Sequence, residues 1–105
     1  MGLISQFLRK SEGGYFHYCP ACREMHDIHT DWQNPQGCRW EWDGNIIAPT
    51  FSPHIVIERS VQKRLVSRCH YTLIRGQLSY QSDCTHTLKD VTMRLPAIPD
   101  YLRDR

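Results

Sequence analysis

Arg68-Cys69-His70-Tyr71-Thr72-Leu73-Ile74 and Gln77-Leu78-Ser79-Tyr80, separated by Arg75-Gly76, decide how this chain is read. Both runs are rich in strand formers, and a two-residue loop containing glycine commonly joins adjacent antiparallel strands. With Arg75 and Gly76 in the turn, Ile74 faces Gln77, Leu73 faces Leu78, Tyr71 faces Tyr80 and Cys69 faces Ser82. Side chains alternate along a strand, so Cys69, Tyr71, Leu73, Leu78 and Tyr80 share one face. Two residues further on, Cys84 joins that face, diagonal to Cys69, while His70 falls on the other side.

That register gives the cysteines a meaning. Cys19-Pro-Ala-Cys22 is a pair of thiols spaced to chelate one ion, and Cys69 with Cys84 closes a tetrahedron. The expected site is Cys19, Cys22, Cys69 and Cys84 around one Zn2+. Thiolates bind zinc at about 2.3 Å, and four of them leave no position open for water. The binding energy of such a site counts toward folding. Alternatives stay open at this stage. His86 can take the place of Cys84 if the chain turns sharply after Asp83, and His26, four residues after Cys22, can act as a ligand. His70 and His86 can instead donate hydrogen bonds to sulfur. His17 and His29 read as strand or surface residues, and Cys38, without a thiol neighbour, reads as a free cysteine of the kind usually buried.

Working outward, Gly13-Gly14 separates a leader, Gly2 to Glu12, from Tyr15-Phe16-His17-Tyr18, a strand that leads into the first cysteine pair. Asp31 to Gly37 is a polar loop with Asn34-Pro35. Arg39-Trp40-Glu41-Trp42 alternates like a half-buried strand, and Asp43-Gly44 predicts a hairpin turn. Pro49 and Pro53 keep Thr50-Phe51-Ser52 out of a helix. His54-Ile55-Val56-Ile57-Glu58 is a further strand, and Ser60 to Ser67 reads as a short helical turn or a basic loop. The fold class that follows is all-β or β-dominated. We expect one domain over residues 1–105 with six or seven short strands, packed as a small sandwich or two hairpin sheets. Residues 1–14 and 97–105 would be peripheral, with Tyr101 and Leu102 docking back.

Composition fits that class. The chain has 105 residues, 23% charged and 40% hydrophobic, in the globular range rather than the disordered one. A domain this small buries only about two-thirds of its unfolded surface, so a metal staple would supplement its core. The net charge of +2 does not by itself point to nucleic acid. Basic residues cluster locally at Arg59, Lys63, Arg64 and Arg68, and Arg103 and Arg105 close the chain. No apolar run reaches the roughly 18 residues of a membrane span, and the opening residues lack a secretory signal. Five cysteines, an odd number, favour metal over disulfides in a reducing cytoplasm.

A set of motifs recurs together. Tyr18-Cys19-Pro-Ala-Cys22 with His26, Trp42-Asp-Gly44, Pro49-Thr-Phe-Ser-Pro53 with Ile55, Cys69-His70, Gly76, Ser82-Asp-Cys-Thr-His86 and Leu95-Pro96 follow in this order. The chain resembles a family of small phage and prophage proteins, a domain of unknown function sometimes mislabelled ammonia monooxygenase. The resemblance covers roughly Tyr15 to Pro96. The chain departs from the pattern at Ala21 and Arg23, where glycine is usual, and at His54, where serine is usual. The resemblance implies a phage origin rather than a reaction.

Three functional expectations follow. The first is a zinc-stapled interaction protein with no catalytic residue. It would present Trp32, Arg59, Lys63, Arg64 and Arg68 to a host protein, a defence component for example, because tryptophan and arginine dominate interface hot spots. The second is a zinc-ribbon-like nucleic-acid module, with the basic stretch on phosphates and aromatic rings on bases. The third is a zinc-dependent hydrolase whose His70, Asp83, His86 and Thr50 or Ser52 line a pocket.

Overall fold

The computed structural model describes residues 3–103, so the expectations touching Gly2 and Arg105 lie outside the described residues. Among the described residues, eight strands form two antiparallel sheets. β1 (Arg9–Lys10), β2 (Gly14–Cys19) and β3 (Glu24–His29) make the first, in that order. β4 (Glu41–Trp42), β5 (Phe51–Val61), β6 (Arg64–Ile74), β7 (Gln77–Tyr80) and β8 (Thr92–Arg94) make the second. A 3-10 turn, Asp100–Leu102, follows.

The β6–β7 hairpin forms in the expected register: Ile74 faces Gln77, Leu73 faces Leu78 and Tyr71 faces Tyr80. Arg75 and Gly76 both adopt positive φ, as the two-residue turn requires. Alternation then does the sorting. Phe51, Ile55, Cys69, Tyr71, Leu73, Leu78 and Tyr80 point inward from the second sheet. Cys19 and Ile28 meet them from the first, with Leu8 from the segment before β1. Fully burying an aliphatic or aromatic side chain of this size contributes roughly 1.5–3 kcal/mol. Trp40 ties the sheets together, its amide donating to His29 O at 2.7 Å and its indole to His54 O at 3.0 Å.

Several sequence expectations need correction. Arg39 to Trp42 contributes only the two-residue β4, because the Trp40 backbone amide donates across to β3 instead of joining the β5 ladder. Asp43-Gly44 opens a broad loop rather than a tight hairpin. The Asp43 carboxylate accepts from the amides of Asn45 and Thr50, and the Asn45 side chain caps Ile47 and Ala48. Ser60 to Ser67 is neither helix nor loop. It is the end of the β5–β6 hairpin, turned by Gln62 and Lys63, both at positive φ. The segments read as peripheral also enter the structure: Leu8 and Ile98 are fully buried, and the Ile98 amide donates to Gln6 O at 2.8 Å.

Candidate functional site

The turn between β2 and β3 is the start of the first site. Cys19 ends β2, Arg23 takes a left-handed conformation (φ 56°) and its amide donates to Cys19 O at 2.8 Å. This is the geometry glycine adopts most freely, at a position where the resembled pattern carries glycine. Cys19 therefore faces Glu24, and His17 faces His26 on the inward side. Cys69 arrives from β6. The ligand atoms of Cys19, Cys22, His26 and Cys69 lie within 4.8 Å of one another, and together they could hold a metal ion.

The hydrogen bonds show independently why His26 belongs to this group. His17 Nδ1 lies 3.2 Å from Tyr18 O, and a carbonyl only accepts, so Nδ1 carries the proton. Burial, reinforced by His26, lowers the His17 pKa to about 3 and keeps the ring neutral. Its Nε2 therefore accepts from the Tyr71 hydroxyl at 2.5 Å. With that proton committed, Tyr71 Oη accepts from His26 Nδ1 at 2.9 Å. Burial likewise lowers the His26 pKa. His26 Nε2 is left a bare, buried lone pair without a hydrogen-bond partner. An orphaned buried acceptor beside three sulfurs is what a metal ligand looks like with no ion present.

The surroundings fit. Hydrogen bonds from Cys22 and Cys69 pull the Cys19 pKa down, the contact with Cys19 pushes Cys22 up to about 12 against an opposing contact with Cys69, and contacts with Cys19 and Cys22 raise Cys69. The three thiols thus share protons through mutual contacts, and a cation would allow all three to ionise. The Tyr80 hydroxyl lies 3.1 Å from Cys19 Sγ. His86 accepts from the Leu88 amide at Nδ1, so its Nε2–H is the donor toward Cys69 Sγ at 3.3 Å. His86 thus supports a sulfur.

Cys84 lies elsewhere. Period two does not extend past Tyr80, because Gln81 to Cys84 turn sharply, the Cys84 amide donating to Gln81 O. Its sulfur instead meets the backbone of His70, 3.2 Å from N and 3.1 Å from O. The place that the hairpin register assigned to Cys84 is filled by His26. Applying the same register argument to the first hairpin would have found it, since a turn over Pro20 to Arg23 puts Cys19, His17 and His26 on one face.

A second cluster occupies the outer face of the five-stranded sheet. His70 Nδ1 donates to the Asp83 carboxylate at 2.9 Å, and Arg68 lies 3.6 Å from the same group. Burial works against the charge on Asp83, but the His70 hydrogen bond and the His70 and Arg68 charges hold its pKa below the ordinary value. In the neutral ring, the Nδ1–H committed to Asp83 leaves the lone pair on Nε2, the arrangement of a general base held by an acid. The ring of His54 packs edge-on against His70, centroids 4.8 Å apart. Ser52 is exposed on β5, where the register shifts between Phe51 and Ile55, and its hydroxyl has no hydrogen-bond partner among the described residues. Thr50 is occupied, accepting from the Arg75 amide at 2.8 Å. Beside His54 opens a groove of about 600 Å³, walled by Asn34 to Trp40 on one side and by Pro53 to Glu58 on the other. Cys38, expected to be buried, is exposed in this groove.

Of the residues expected to meet a partner, Arg59, Lys63, Arg64 and Arg68 lie along the β5–β6 hairpin, and Trp32 lies apart from them. Trp32 is exposed beside His29. Arg59 is paired with Glu24, and Arg68 with Glu58 at 2.7 Å. Lys63 and Arg64 sit at the exposed tip of the β5–β6 hairpin. No helix among the described residues is long and apolar enough to cross a membrane.

The class is thus a small two-sheet β protein with a three-cysteine, one-histidine cluster inside and a histidine–aspartate pair outside. The model of a family described as "Bacterial ubiquitination-like system serine protease (BubE)" matches residues 4–81, and the chain belongs to that family. No curated protein and no solved structure matches the chain. The family overturns the function expected from sequence, a zinc-stabilised phage protein that binds or inhibits a host protein. The nucleic-acid and zinc-hydrolase alternatives fall with it. The physical reason is that a metal staple and exposed arginines describe stability and surface, and two of those arginines are already ion-paired.

Proposed function

We propose that this chain hydrolyses polypeptide by a serine-class mechanism, as its family's description indicates. The observation that carries the reading is the 2.9 Å bond from His70 Nδ1 to Asp83 on an open face beside a groove. In this reading Asp83 fixes the tautomer, and His70 Nε2 takes the hydroxyl proton of Ser52 as Oγ adds to the scissile carbonyl. His70 then returns the proton to the departing amine, and water resolves the acyl intermediate by the same route. Contacts of this kind are often loose before substrate binds. Cys19, Cys22, His26 and Cys69 would hold an ion that serves the fold rather than this reaction. We infer that it is zinc, which three thiolates and one imidazole suit, holding β2, β3 and β6 together.

One observation favours a second reading: the side chain meeting His70 is an imidazole, at the residue where the resembled pattern has serine. On that reading the groove holds polypeptide without cutting it. A fluorophosphonate probe with fluorescent casein separates the two. Labelling at Ser52, lost together with casein hydrolysis in Ser52→Ala and His70→Ala, supports the peptidase. A folded protein that neither labels nor cuts overturns it.

A further inference from the structure

β5 has an open edge. β4 pairs only with Phe51 and Ser52, so among the described residues no strand covers the rest of β5 on that side. The neighbouring register shows which groups are exposed. Ile74 and Gln77 flank a two-residue turn, so Ile74 and Thr72 direct their backbone groups toward β7, and the Gln81 amide donates to His70 O in the same sense. Cys69 and Tyr71 therefore direct theirs toward β5, where they face Ile57 and Ile55. By alternation Val56 and Glu58 turn N–H and C=O away from β6, toward the open side. Val61 and Arg64 flank the Gln62–Lys63 turn, so Ser60 turns outward too. His54 agrees, since its carbonyl on that side accepts from the Trp40 indole.

The outward groups of Val56 and Glu58 open onto the groove between β5 and the Asn34–Trp40 segment. Three alternate residues presenting paired donors and acceptors at strand spacing match another extended backbone. The walls mix apolar Trp40, Pro53, Val56 and Ile57 with one charge of each sign, Arg39 and Glu58. One end of the groove is lined by His54, whose ring touches His70, so a strand bound there runs toward the proposed chemistry.

We propose that the polypeptide to be cut docks as an added β-strand along Val56 and Glu58, recognised through its backbone in this groove and continuing along the edge to Ser60. The assignment rests on the peptidase reading for the identity of its occupant. Recognition through backbone tolerates many side chains, whereas the groove walls select by size.

The test uses Ser52→Ala protein, so that peptide stays intact, and a pool of random acetylated, amidated decapeptides as the probe. Amide hydrogen exchange at Val56, Glu58 and Ser60 should slow by about tenfold when free peptide exceeds its dissociation constant about ninefold. Ile55 and Ile57, already bonded to β6, should change little. A pool N-methylated at alternate residues should give no protection, and Val56→Pro, which removes one outward amide, should weaken the effect. Unchanged exchange at the three amides, or equal protection by the methylated pool, overturns the docking mode. Casein hydrolysis by wild-type protein without edge protection would sink the docking and leave the peptidase standing. Edge protection without hydrolysis would do the reverse.

Discussion

The Nδ1–H of His26 donates to the Tyr71 hydroxyl at 2.9 Å, and this contact leaves the unpartnered Nε2 as the ring nitrogen available to a metal ion held with the three cysteines. Tyr71→Phe removes the hydroxyl that serves both His17 and His26. Two buried imidazole nitrogens lose their partner, at about 1–3 kcal/mol each. We expect a stability loss of about 2–6 kcal/mol by urea denaturation, and metal affinity lower by about 10–100-fold, the usual effect of losing a group that orients a ligand. Unchanged affinity would mean that Tyr71 does not orient His26.

The identity of the fourth ligand is testable directly. His26→Ala and Cys69→Ser should each abolish stoichiometric metal in elemental analysis and lower the melting temperature by roughly 10 °C or more. Cys84→Ser should keep the metal and cost only about 1 kcal/mol, since a hydroxyl can still bridge His70 N and O. The cobalt-substituted protein should show three sulfurs and one nitrogen. A four-sulfur spectrum would restore Cys84.

The contrast between these two residues explains what was legible beforehand. The β6–β7 register could be counted because Arg75-Gly76 marks a turn of known length, and it placed Cys69 inward and His70 outward. The same count failed at Cys84, where Gln81 begins a turn that no glycine or proline announces. Gln62 and Lys63 likewise bend the β5–β6 hairpin at positive φ without glycine, so Ser60 to Ser67 resisted reading. The pairing of His70 with Asp83 depends on that unmarked turn, so no linear pattern exposes it.

Gly14 tests the packing of the first sheet. A Cβ built there would stand 1.9 Å from the carbonyl oxygen of Ile28, a backbone atom that cannot step aside without breaking the β2–β3 ladder. Gly14→Ala should therefore cost about 3 kcal/mol, at the upper end for overpacking, as a lowered urea midpoint. Gly37→Ala, with nothing near its Cβ position, should cost less, through its positive φ alone. Equal costs would contradict the close approach.

Asp83 offers a pH test with a definite sign. Its pKa is depressed below 3.8, with burial opposing and His70 and Arg68 prevailing. A depressed carboxylate contributes stability that is present above the unfolded pKa and lost as pH falls through the folded one. The carbon-detected titration of Asp83 should accordingly have its midpoint under 3.8 and move up in His70→Ala. A midpoint unmoved by that substitution would show the pair to be open in solution.

On the peptidase reading, His54 is the residue on which the chemistry turns. Its ring meets His70 edge-on, so the proposed base would have an imidazole in front of it where an acyl-transfer site needs a hydroxyl. Ser52 lies two residues earlier on the same strand, exposed and without a hydrogen bond to His70 among the described residues. His54→Ser removes the ring and puts a hydroxyl at the position already in contact with the base. General-base assistance is worth on the order of 10²–10⁴-fold. The variant should react with a fluorophosphonate on the order of 10²-fold faster than wild type, with the adduct at the substituted residue. Adding His70→Ala should abolish the gain, which separates base catalysis from mere exposure of a new serine. If His54→Ser reacts no faster while retaining its fold, residue 54 does not face the base in solution, and Ser52 must reach His70 by another path.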